Sequence, residues 1–248
     1  MPVTGNKHFT SPVTTPHLRS WPEQELSIRI FSDGFSFSTP QRSREVMAEK
    51  GETLAKALEK AFNEQVLLRP DYDEVNVYAD YPSTRIPLDE FRSEEAQALY
   101  RLTFGPDSLT GMNMHYEMLP ALEIIEVFAI NAEIEEIILR YYPHATIHCY
   151  FGQLMNRMLA FDKRQGDDLA RLYAHSNGRQ LLVFSYDSGR LRFANSFEAK
   201  NLSNQIYFLL YAWKQLGLRQ RKDICVLIGK DKMLEAELKR YLSNVECV

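Results

Sequence analysis

Leu26-Ser27-Ile28-Arg29-Ile30-Phe31 alternates apolar and polar side chains, the period of a strand with one buried face. Ser32-Asp33-Gly34 then offers residues that tolerate the left-handed backbone of a tight turn, and Phe35-Ser36-Phe37-Ser38 alternates again. This pattern predicts a hairpin. Residues 40–44 read as a second turn and 45–48 as a short third strand, although helix propensity competes there. Between 52 and 62, Leu54, Ala55, Leu58 and Phe62 fall on one helical face. Residues 74–79 return to strand.

The same succession recurs from Leu169. Residues 169–175 form a candidate strand, Ser176-Asn177-Gly178 a turn, and 180–186 a second strand. Asp187-Ser188-Gly189 is another tight turn and 190–193 a third strand. A strongly apolar helix over 202–216 ends at Gly217, and 223–228 reads as a buried strand. Gly34 precedes Glu74 by 40 residues and Gly178 precedes Asp223 by 45, so the order strand–strand–strand–helix–strand occurs twice at similar spacing. Between the two sets lie a helix capped by Ser93, apolar stretches at 112–118 and 122–130, and a helix capped by Asn131. A strand at 145–148 and a helix around 152–161 complete that region, and a last helix is predicted over 232–242. The polar run 162–168 is the best linker candidate. The chain therefore divides into a tail (1–20), a first half (21–162) and a second half (163–248).

A net charge of −4 over 248 residues argues against a nucleic-acid surface, which needs a basic face. At 45% hydrophobic residues the chain can bury a substantial core, and no run of eighteen apolar residues crosses a membrane. No seven-residue apolar run near the start suggests a secretory signal. Cys149, Cys225 and Cys247 are an odd set and read as free thiols in a reducing cytoplasm.

The runs LSIRIFSDGFSFS, LRFANSFEAKNLSNQIYFLLYAWKQLG and ICVLIGKDKMLEAELKRYL resemble an uncharacterised Bacteroidetes family placed with the actin-like ATPase superfamily, over residues 22–245. The layout is also similar to actin-like assembly proteins of pilus and secretion machines. The resemblance implies an α/β protein with a duplicated ribonuclease H-like fold, each half built on a β-β-β-α-β core. In active members each half's first strand ends in Asp-x-Gly, the Asp holding the metal–water shell and the glycine turn admitting phosphates. Here Gly34 and Gly178 match those glycines, but the Asp positions carry Ser32 and Ser176. Asp33 is displaced by one residue, and Asn177 stands at the equivalent place in the second turn. The late loop that packs on adenosine has Gly229-Lys230 in place of a glycine pair. Asp187-Ser188-Gly189 is a true Asp-x-Gly, and would face the cleft if 180–186 were the second half's first strand.

Other chemistry is thin. Gly229-Lys230 lacks the upstream glycine of a phosphate loop, and Asp231 stands where Ser or Thr is needed. His144, His148 and Cys149 look like metal ligands, but His144 and His148, four apart on a strand, would be ~13 Å apart, too far to share a zinc ion. Glu133, Glu135 and Glu136 read as a solvated helix start. Lys214, Arg219, Arg221 and Lys222 complement a helix C-terminus, and Tyr141-Tyr142-Pro143 a helix end packed on the core. Tyr207, Phe208, Tyr211 and Trp213 make the 202–216 helix apolar almost all round, with Trp213 expected in the core. The expectation is a non-catalytic module without cofactor that contacts a protein partner, which includes a second copy of itself. The alternative is an ATP–Mg²⁺-binding ATPase or kinase with a rearranged cleft.

Overall fold

The computed structural model describes residues 25–68, 72–177 and 179–248. The tail at 1–20 and Gly178 lie outside the described residues. The alternation at the start forms β1 (Glu25–Phe31), which turns into β2 (Gly34–Ser38) and then β3 (Ser43–Met47), an antiparallel meander. Helix α1 (Leu54–Glu64) starts on a Thr53 cap and returns the chain to β4 (Glu74–Ala79), which runs parallel to β1. Leu26, Ile28, Ile30, Phe35 and Phe37 have no exposed surface and share a core with Leu58 and Phe62 of α1. The opposite face of β1 and β2 carries Ser27, Arg29, Ser36 and Ser38, all half-buried.

An insertion follows. β5 (Ser83–Pro87), α2 (Ser93–Phe104), β6 (Met112–Leu119) and β7 (Ile124–Asn131) build a separate antiparallel sheet of order β5-β7-β6. Helix α2 shelters one face of that sheet, where Ala96 and Tyr100 meet Ile125, Val127 and Ala129. Helix α3 (Ala132–Tyr141) has the predicted Asn131 cap, and β8 (Thr146–Cys149) joins the first sheet to complete the order β3-β2-β1-β4-β8. At the end of α3, Tyr142 is wholly buried and its ring meets Phe62 edge-on.

Helix α4 (Tyr150–Asp162) leaves β8 without a loop and leads to the second repeat. β9 (Arg171–Ser176), β10 (Gln180–Asp187) and β11 (Arg190–Glu198) form an antiparallel meander. Helix α5 (Leu202–Gln215) and the parallel strand β12 (Ile224–Leu227) follow, then α6 (Lys232–Leu238) and β13 (Val245–Cys247). The order β11-β10-β9-β12-β13 repeats that of the first sheet, fifth strand included. Here both faces are buried. Leu172, Leu181 and Val183 meet Leu209 and Trp213 of α5, while Tyr173, Phe184 and Tyr186 join the core that holds Phe151 and Met155 of α4.

Several expectations need correction. The residue at the start of α2 is Arg92, with no side-chain cap; Ser93 is the first helical residue and its hydroxyl donates to Glu94. β5 and β13 escaped the reading because both are short, and one ends in proline, the other at the chain terminus. The last helix stops at Leu238. Glu135 is buried on α3 and accepts from Asn113 and meets His115, so it is no solvated acid. α5 is not apolar all round: Trp213 is buried as expected, but Tyr207 and Tyr211 are 61% and 48% exposed. Arg219 pairs with the buried Asp223 rather than serving only the helix end. Cys149 and Cys225 are buried free thiols, pushed upward in pKa by burial.

Candidate functional cleft

The two repeats bring their first turns face to face. Arg179, in the β9–β10 turn, places Nη2 2.8 Å from Asp33 Oδ2 and donates through Nη1 to Ser32 Oγ at 3.2 Å. Asn177 shapes its own turn: Oδ1 accepts from the amides of Arg179 and Gln180 at 3.1 and 2.8 Å, the work of a short polar side chain in a bend. Its Nδ2 donates across the cleft to Asp80 Oδ2 at 3.2 Å. Asp80 follows β4 directly and is 6% exposed; Arg29, on the polar face of β1, donates to it from Nε at 3.1 Å and from Nη2 at 2.5 Å. A cavity of about 720 Å³ opens beside these groups, bordered by Ser32, Asp80, Asn177, Arg179 and Lys200.

His175 on β9 is the deeper junction. Its Nδ1 lies 2.9 Å from Ile228 O, and a carbonyl only accepts, so that nitrogen carries the proton. Nε2 is then free to accept from Tyr150 OH at 3.1 Å, and Arg29 Nη2 stands 3.4 Å away. Burial, with the nearby Arg29 guanidinium, holds the imidazole below its ordinary pKa, so it is neutral. The guanidinium of Arg29 also stacks over Tyr150, 3.8 Å from the ring centroid. Arg29 of β1, Asp80 just after β4, His175 of β9, Asn177 just after it and Tyr150 of α4 thus tie the repeats together.

The residues read from sequence are dispersed by the fold. Ser32, Asp33 and Asn177 meet in the cleft. Ser176 turns toward α5 instead, accepting from Gln205 Nε2 at 2.9 Å, and borders a second cavity of about 600 Å³ with Gly229 and Lys230. Gly34 has a steric role at β2, where a Cβ would come within 2.6 Å of Val46 O and 2.7 Å of the Phe31 ring. Gly229 adopts φ +98 in the step from β12 to α6, whose cap is Asp231. Asp187 sits in the β10–β11 turn, opposite Arg190. Since β10 is the middle strand of its meander, that turn lies at the other end of the sheet from Asn177, and Asp187 does not face the cleft. His144 and His148 do not converge: His144 contacts Tyr72 O, and His148 lies between Glu117 and Asn76. Among the described residues no group of three His, Cys, Asp or Glu could hold a metal ion. Sequence reading missed Arg29, Asp80, Tyr150, His175 and Arg179. Asp80 carried a signal, because residues just past the carboxyl ends of parallel strands border the clefts of α/β folds.

Residues 18–245 match the family described as "Protein of unknown function (DUF3822)". The chain belongs to that family. This DUF3822 chain is also similar to a Bacteroides thetaiotaomicron protein described as having an actin-like ATPase fold and unknown function. The two share 26% identity and a TM-score of 0.77, over 92% of this chain and 91% of that one. A structure of the PilM–PilN type IV pilus biogenesis complex matches at 12% identity and TM-score 0.58, over 92% and 88% of the two chains, a likeness of fold alone. None of the curated proteins matches. The DUF3822 chain has the actin-like ATPase fold, as the two repeated sheets and these neighbours agree. Among its described residues no helix is long and apolar enough to cross a membrane.

Proposed function

We propose that this chain is a cytoplasmic actin-like module that acts through contact with another protein and does not turn over a nucleotide. The ion pair between Asp33 and Arg179 carries the reading. In nucleotide-binding members of the fold the two facing turns receive phosphates and metal; here they are joined to each other. Ser32 offers a neutral hydroxyl where an anionic metal ligand is required, and Asp80, the buried carboxylate of the cleft, is already held by Arg29 and Asn177. A nucleotide would have to displace these contacts and compensate for them.

That the same fold occurs in a pilus biogenesis complex supports protein contact as the mode of action. The face of α5 that carries Tyr207 and Tyr211, stacked with ring centroids 6.2 Å apart, suits such a contact, since exposed aromatic pairs are favoured at interfaces. Sedimentation velocity decides whether the partner is a second copy: a dimer that dissociates in Tyr207→Ser would say so. The cleft is tested by calorimetric titration with ATP and Mg²⁺. No saturable heat is expected below 1 mM; a dissociation constant near ~10 µM, roughly −7 kcal/mol, would overturn the proposal in favour of a rearranged ATPase cleft.

A further inference from the structure

A third cavity, of about 320 Å³, lies between the polar face of the first sheet and α4. Its floor follows from strand register. Ser27 of β1 is paired with Ser38 of β2, and Arg29 with Ser36, while Tyr78 of β4 flanks Arg29 on its other side. Two adjacent rows of hydroxyl and guanidinium groups thus stand on one face, directly behind the apolar face that builds the core. The roof is a single stripe of α4: Tyr150, Gln153, Leu154 and Arg157 at i, i+3, i+4 and i+7.

A helix laid on a sheet ordinarily closes the gap with apolar side chains. Here the gap remains and is bordered by donors, with no carboxylate among the lining residues. The acids that reach the lining residues from outside the cavity are already engaged: Asp80 accepts from Arg29, and Glu117 from Gln153, the Cys149 amide and His148. Among the described residues the side chains of Arg157, Ser36 and Ser38 make no hydrogen bond or ion pair with the protein, their backbones being held in α4 and β2. Arg29 spends Nε and Nη2 on Asp80 and keeps Nη1. The volume suits a small molecule.

We propose that this cavity binds a small phosphorylated compound, its phosphate held between the serine rows and the guanidinium of Arg157. Donors arrive from the sheet below and the helix above, which suits a tetrahedral oxyanion better than a planar carboxylate. The site is separate from the cleft turns, so it stands whether or not the cleft takes a nucleotide.

Calorimetry and thermal melting of the full chain with inorganic phosphate test it, with succinate as the carboxylate arm. Saturable phosphate binding is expected at millimolar concentration or below. Arg157→Gln should weaken it at least about tenfold, the loss of one charge-assisted contact. Ser38→Ala should weaken it several-fold, and Arg179→Gln, in the cleft, should leave it unchanged. Arg157 is exposed and the Ser38 hydroxyl makes no hydrogen bond with the protein, so both variants should fold. The proposal fails if phosphate shows no saturable effect, or if succinate binds and phosphate does not. It fails equally if binding survives Arg157→Gln and is lost in Arg179→Gln.

Discussion

Helix α4 touches both repeated sheets, and the two contacts are opposites. Toward the second sheet, Phe151 and Met155 meet Phe184, Tyr173 and Tyr186, whose rings lie 5.3 to 5.9 Å apart, and Tyr186 OH donates to Met155 O. Toward the first sheet, the same helix faces serines and an arginine across a cavity. Both sheets have one strand order. Topology therefore does not decide which surface is filled. Side-chain choice does, and the surface left open is the one whose side chains offer hydrogen-bond donors.

The largest expected effect lies on the filled side. Phe184→Ala should destabilise by about 3–5 kcal/mol in urea unfolding, because it empties a ring site with no exposed surface. A loss below about 1 kcal/mol would mean the two surfaces of α4 are not as different as their packing. Breaking the buried Arg85–Glu126 pair is next. Arg85 Nη2 lies 3.1 Å from Glu126 Oε1 without hydrogen-bond alignment, and Glu126 is wholly buried with its pKa raised by burial. Arg85→Met should cost about 3 kcal/mol, since it leaves that buried carboxylate without its cation and with the Ser83 hydroxyl as its hydrogen-bond donor.

A pH series sharpens the comparison at the junction itself. His175 is held below its ordinary pKa in the folded chain, so below about pH 6.5 the unfolded state takes up a proton that the folded state resists. Its contribution to stability is full above that pH and is lost as pH falls. The slope of unfolding free energy against pH between 7 and 5 should flatten in His175→Gln; an unchanged slope would remove His175 from the account. The smallest effects belong to the open surfaces. Arg179→Gln breaks an exposed pair worth about 0.2–1 kcal/mol, and Ser36→Ala should stay within about 0.5 kcal/mol. A larger loss at Ser36 would reveal a structural role for the serine rows.

Much of this was legible in the chain. The alternation Leu26, Ile28, Ile30 and the turn residues at 32–34 and 187–189 gave both meanders, and the repeat gave the two sheets. The serines and Arg29 were visible as the polar half of that alternation, yet an alternating strand says only that a face is not core. Whether water or a helix covers it depends on α4, whose stripe is set by a sequence 120 residues later. Glu135 and Glu126 were illegible for a related reason: an acid at a helix start or in a strand looks solvated until a partner arrives from another element. Tyr207 and Tyr211 show the converse, aromatic residues that count as apolar and yet lie outside.

One feature of the core bears on folding cooperativity. Tyr173, Leu182, Phe184, Ile224 and Val226 of the second repeat belong to the same apolar cluster as Leu26, Leu58 and Ile134 of the first. The repeats are alike in plan and share this apolar cluster, beside which the second keeps one of its own between its sheet and α5, so the shared cluster couples their melting. Unfolding should accordingly be one transition, with coincident midpoints by tryptophan fluorescence and far-ultraviolet circular dichroism, and residues 163–248 expressed by themselves should aggregate through the ring face that α4 covers.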